Sequence, residues 1–235
     1  SSTIPGLTMC MVERHYKEAR RKIQTSIRFT MVLTIPCAVG MGVLAGPILK
    51  LLYNDPDPDA VAMAVRMFQV GVVSIMLYAM STLSNGILQG INQMRLPVIH
   101  SAVALVLHLG VLYVMLTKLH MGIYGVIQAN NLFALLMCLM NGIAIRRHIG
   151  YRQELMRTFI IPGICSGFMG LAVFGLYKLL ALFAGNAIST VLSIGVGACI
   201  YGALLLMLRG ITKKELLEFP KGKTLYRIAR KFHLM

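Results

Sequence analysis

From Met67 to Met94 the chain carries no charged residue, a run longer than the roughly 20 apolar residues that cross a bilayer as a helix. The run is not uniformly apolar. Ser74, Tyr78, Ser81, Asn85, Gln89 and Asn92 recur at spacings of three and four, which places them on one helical face. Val, Ile, Met and Leu fill the other faces. A spanning helix must keep such a seam away from lipid. It can set the seam against other helices as hydrogen-bonding glue, or along a watery cavity as the neutral polar wall of a translocation path.

The rest of the chain repeats the pattern. Of 235 residues, 57% are hydrophobic and 13% charged, with a mean hydropathy of +0.73, against about 25% charged in a soluble domain. Apolar runs predict spans at 29–49, 67–94, 95–117, 122–145, 158–180 and 187–208. The expected fold is all-α, a polytopic membrane helix bundle. In the first span Pro36 should kink the helix, Ala38, Gly42 and Gly46 should admit a close neighbour, and Gly46-Pro47 should break the helix before an end piece at 48–53. The fourth span carries a second polar seam: Tyr124, Gln128, Asn131, Cys138 and Asn141. In the fifth, Pro162 falls in the first turns and Gly163 and Gly167 form a G-x-x-x-G, with Ser166 and Gly170 offset beside it. Few polar groups occur in spans five and six, which read as a closely packed hairpin partly facing lipid, with Ser193, Gly197 and Gly202 as small residues in the sixth.

The net charge of +15 could suggest nucleic acid, but its distribution excludes that partner. The 23 Lys and Arg lie between the apolar runs and at the ends, and no soluble core remains to carry a nucleic-acid module. Only Lys50, Arg66, Lys118 and Lys178 fall on one side of the six predicted spans; the other nineteen fall on the opposite side. That asymmetry predicts both ends in the cytoplasm. The opening residues through Val12 read as the last turns of a helix that begins earlier, and Glu13 to Arg28 as a basic loop. At the far end, Thr212-Lys213-Lys214-Glu215 has a capping-box pattern, and Leu225, Ile228, Ala229 and Phe232 oppose Arg227, Arg230 and Lys231 on an amphipathic helix suited to an anionic membrane surface.

All eight carboxylates fall in predicted loops or the tail. An intramembrane hydrolase or a carboxylate-driven pump needs acids inside the spans, so an enzyme is not expected. The five cysteines (Cys10, Cys37, Cys138, Cys165, Cys199) are odd in number and form no C-x-x-C. They read as small buried apolar residues, not as disulfides or a zinc site. His100 and His108, eight residues apart, point roughly the same way on the third span. Without a Cys, Asp or Glu partner they make a poor metal site. They read as packed polar residues bonded to neighbours, or as proton-sensitive or ligand-contacting groups. No metal and no cofactor is expected. Lys50, Arg66 and Arg95 at the span ends read as headgroup anchors or as phosphate contacts; Arg95, beside the first seam, is the first of the three to test by substitution, against simple positive-inside anchoring.

Several stretches carry a resemblance. IRFTMVLTIPCAVGMGVLAGPILKLLY (Ile27 to Tyr53), NGILQGINQMRLPVI (Asn85 to Ile99), GIYGVIQANN (Gly122 to Asn131) and ITKKELLEFPKGKTLYRIARK (Ile211 to Lys231) resemble polysaccharide flippases of the stage V sporulation protein B type, in order and over nearly the whole chain. That family belongs to the multidrug/oligosaccharidyl-lipid/polysaccharide exporter superfamily. The resemblance implies about fourteen helices in two lobes, with this chain as helices nine to fourteen. Residues 1–28 would then be the end of a preceding helix plus a basic cytoplasmic loop, 29–146 four helices of the C-terminal lobe, 147–209 an additional hairpin and 210–235 the basic amphipathic tail. It implies a bacterial cell membrane protein that flips a polyprenyl-linked saccharide, with the bilayer and a missing N-terminal lobe as partners. Ser74, Tyr78, Ser81, Asn85, Gln89, Arg95, His100, His108, Tyr124, Gln128 and Asn131 would line its cavity. The alternatives are a cation-coupled multidrug exporter of the same superfamily and a membrane scaffold for cell-wall synthesis enzymes.

Overall fold

A computed structural model describes residues 3–13, 15–53, 57–151, 153–183 and 185–208. Its helices are α1 (Thr3–Val12), α2 (Tyr16–Val43), α3 (Ala45–Leu52), α4 (Pro58–Gly90), α5 (Arg95–Thr117), α6 (Ile123–Ile149), α7 (Ile161–Leu180) and α8 (Asn186–Met207), with a π-helical turn, Met156–Ile160, leading into α7. No strand occurs among the described residues. Among the described residues six segments are long and apolar enough to cross a membrane: α2, α4, α5, α6, the π turn with α7, and α8. The chain is an all-α polytopic membrane helix bundle. The tail expected at 210–235 lies outside the described residues.

Prolines set two of the boundaries. α2 runs through Pro36 and stops at Val43, slightly ahead of the break expected at Gly46-Pro47. The reason is local: a proline ring collides with the carbonyl four residues back, and for Pro47 that carbonyl belongs to Val43. Pro47 instead lies in the first turn of α3, where no N–H is required. Pro162 stands at the start of α7, and the turn before it is widened, with Ile161 N–H bonding to the Met156 carbonyl. Tyr16 to Arg28, expected as loop, are helical and lengthen α2. Glu18 and Asp59 lie in the first turns of α2 and α4, where a negative charge faces the positive end of the helix dipole.

The chain divides into two compact units, Ser1–Thr34 with Arg66–Glu154, and Ile35–Val65 with Leu155–Met235. In the first, α5 and α6 form an antiparallel hairpin. It is tightest at Gly125, where an added Cβ would lie 3.1 Å from Met115 Cβ. Leu7, Ile23, Ile27, Leu88, Ala129 and Met137 are among its buried residues. In the second, α7 and α8 form a hairpin around Cys165, Met169, Val173, Tyr201 and Leu205. Here the close approach is not at the expected Gly163 and Gly167, which have nothing within 4 Å of an added Cβ. It occurs at Gly170, 2.9 Å from Val39, and at Gly197, 2.5 Å from Val173. The G-x-x-x-G spacing marks a smooth helical face; which face meets the partner is decided by that partner's side chains. Among the cysteines, Cys37 and Cys199 are exposed within the chain, contrary to the expected burial.

Candidate functional site

The two polar seams meet inside the first unit. Ser74 of α4 bonds to the Asn131 side-chain oxygen on α6. Cys138 of α6 bonds to the Leu77 carbonyl of α4 at 3.1 Å. Asn141 Nδ2 donates to Ser84 Oγ at 3.0 Å and to Asn85 Oδ1 at 2.7 Å. Residue numbers rise together along both helices from rung to rung, so α4 and α6 run parallel, as two helices separated by one intervening helix must. From Asn131 to Asn141 the rungs cover about 15 Å at 1.5 Å per residue.

Asn141 is the hub. It is fully buried, and its amide uses both donors on α4. Its remaining oxygen accepts from His100 Nδ1 of α5 at 2.7 Å, so three helices converge on one side chain. Ser84 passes the chain on to the Ser81 carbonyl at 2.8 Å. One level away, His108 Nδ1 donates to the Ala129 carbonyl at 2.9 Å and sets its ring edge-on to Phe133, centroids 5.9 Å apart. Both histidines therefore carry Nδ1–H toward α6. Both lie against α6, but only His100 is tied to Asn141, a residue absent from the expected cavity set; His108 is held by the Ala129 carbonyl. Buried amides are costly without partners, and the place of Asn141 in the second seam, one turn beyond Cys138, was the available signal.

The remaining seam residues are placed differently. Tyr78, Gln89, Arg95 and Gln128 are exposed; Tyr124 is half-buried. Gln128 accepts a bond from Asn131 at 3.3 Å. Asn92 leaves the seam altogether. It has φ +61, with Asn92 N–H on the Gln89 carbonyl and Gln93 N–H on the Leu88 carbonyl. That is the paired-bond cap that ends a helix with one left-handed residue, a place Asn tolerates. Among the described residues no group of three or more His, Cys, Asp or Glu could hold a metal ion.

Residues 7–114 match the MatE family model. The chain is also 30% identical over 206 residues to the lipid II flippase MurJ of Bacillus subtilis (strain 168), an alignment covering 84% of this chain and 37% of that protein. The chain thus spans well under half the length of the relative it matches. These findings support the multidrug/oligosaccharidyl-lipid/polysaccharide exporter superfamily, whose members are transporters and not enzymes. The matched family region runs from α1 to within one turn of the end of α5 and so includes all of α4.

Proposed function

We propose that this chain is part of a flippase that carries a lipid-linked saccharide precursor across a bacterial cell membrane by alternating access, one helix bundle rocking against another. The similarity to a lipid II flippase along 84% of the chain carries the reading. An uncharged polar wall supports it, since sugar hydroxyls are recognised by neutral donors and acceptors. In this reading the chain supplies helices nine to fourteen of a two-lobe protein of the stage V sporulation protein B type, with both ends cytoplasmic. Its partners are the N-terminal lobe, the bilayer and the polyprenyl-linked saccharide. No residue in the most apolar stretch of α4 is buried within the chain, which leaves that stretch open to such a partner.

The expected cavity residues separate into two roles. Ser74, Ser81, Asn85, Asn131, His100 and His108 build the frame. Tyr78, Gln89, Gln128, Tyr124 and Arg95 are the groups with capacity left for a ligand. The experiment is export of a polyprenyl-linked saccharide by the intact protein in vesicles, comparing wild type with Gln89→Leu and Tyr78→Phe. Reduced export with normal expression is the expected result; unchanged export would sink the cavity assignment. A multidrug exporter would instead confer drug resistance independent of the polyprenyl-linked substrate. A scaffold would retain its binding partners and be indifferent to both substitutions.

A further inference from the structure

The first unit holds a second polar cluster, where the chain leaves α6. Arg20, Gln24 and Arg28 stand four residues apart on α2, so they share one face. All three reach the same connector. Arg20 Nε donates to the Ile149 carbonyl at 2.7 Å. Gln24 Nε2 and Arg28 Nη2 both donate to Glu154 Oε2 at 2.6 Å. Gly150, at φ +67, turns the chain off the end of α6, and a Cβ there would lie 3.1 Å from Arg20 Nη2. Ile149, Gly150 and Glu154 thus lie against one ridge of α2.

Other features of the same cluster work against the closed arrangement. Arg28 is only 4% exposed, and a guanidinium so far from water loses hydration that its partner must replace. The Tyr151 hydroxyl and Gln153 Nε2 are buried without a hydrogen-bond partner. Water would satisfy both on release, so each favours opening. Glu154, the acceptor common to two of the three contacts, is 38% exposed in its side chain, which gives water a route to the bond that closes the cluster. A contact made by strong, exchangeable bonds and opposed by unmet ones has two states available, as a packed apolar contact does not.

We propose that residues 149–151 and 153–154 act as a releasable strap, closed on α2 by the Arg20–Gln24–Arg28 ridge and opened when water takes over Glu154, Tyr151 and Gln153. The proposal rests on this geometry alone and is independent of the transported substrate. The test is hydrogen–deuterium exchange on the full-length protein in phosphatidylcholine–phosphatidylglycerol vesicles, following a peptide over 149–156 beside peptides from the interiors of α5 and α6. The strap should exchange faster than the α6 interior in wild type. Glu154→Gln should speed its exchange by about tenfold or more while leaving α5 and α6 unchanged. Tyr151→Phe, which deletes an unmet hydroxyl, should slow it, a change that a static strut would not show. Strap exchange as slow as the α6 interior, or insensitive to Tyr151→Phe, overturns the proposal. Should Glu154→Gln fail to fold, wild type against Tyr151→Phe decides alone.

Discussion

The α4–α5–α6 group and the α7–α8 hairpin solve one problem by different means. Inside a bilayer, lipid is as apolar as leucine, so helices need some reason other than hydrophobicity to associate. The first group uses polar side chains: a buried amide, two imidazoles, serines and a thiol, arranged as rungs between helices. The second uses absence of side chains, at Gly170 and Gly197, and adds a polar brace where the chain enters α8. There Asn186 donates to the Pro47 carbonyl at 3.1 Å and accepts from the Tyr177 hydroxyl at 2.8 Å. Polar rungs fix register and can exchange partners; close glycine contacts tolerate little change. The polar group is the one suited to rearrangement.

Substitutions can break or sharpen that contrast. The largest effect is expected at Arg28, whose removal takes from the Glu154 carboxylate its charge-assisted bond to a buried guanidinium. Arg28→Ala should cost about 3 kcal/mol, the low end for a buried pair because water reaches Glu154, read as a lowered unfolding midpoint of the full-length protein. Next is Gly197→Ala, which forces a Cβ to 2.5 Å from Val173 and should cost about 1–3 kcal/mol. Val173→Ala in the same chain should recover part of it, and Gly163→Ala should change stability by no more than about 0.5 kcal/mol. Equal effects at Gly163 and Gly197 would refute the glycine contact. Asn141→Leu should cost about 1–2 kcal/mol, the scale of interhelical polar contacts in membranes, and should shift the His100 ring resonances in NMR spectra; a silent substitution would remove the hub.

The smallest effect concerns pH. Burial pushes the Tyr151 phenol up to about 12 from an ordinary value of about 10. Its folded state therefore holds the proton after the unfolded state has released it. Stability is therefore independent of this group below about pH 10 and falls as pH rises toward 12. Tyr151→Phe should flatten the alkaline loss over that window in a pH series of unfolding midpoints. An unaltered alkaline slope would mean that the phenol is not buried in the folded protein.

The apolar runs made most of the fold legible. The third predicted span coincides with α5, and the others differ at their ends: α2 and α4 begin earlier and stop sooner than the apolar runs, and α6 continues to Ile149. Tyr16 to Arg28 illustrates the cause: a run of charges reads as loop, yet Arg20, Gln24 and Arg28 repeat at four residues, the period of a helix with a partner on one side. Seam membership was also legible from spacing, because helical period alone determines a shared face. Which seam residues bond to one another and which stay open was not. That depends on the rotation of α4, α5 and α6 about their own axes, and no single segment encodes it. Asn92 shows a further limit: spacing continues past the end of a helix, whereas the backbone had already turned left-handed.

The widened turn at Met156–Ile160 carries a consequence for everything that follows it. One additional residue in a helical turn advances the azimuth of the succeeding helix by about 100°. Gly170 meets Val39, and Gly197 meets Val173, only at the present azimuth. Deleting a single residue from that turn would leave α7 with the same composition and length but aim its glycines elsewhere, so the turn acts as the phase setting of the whole hairpin.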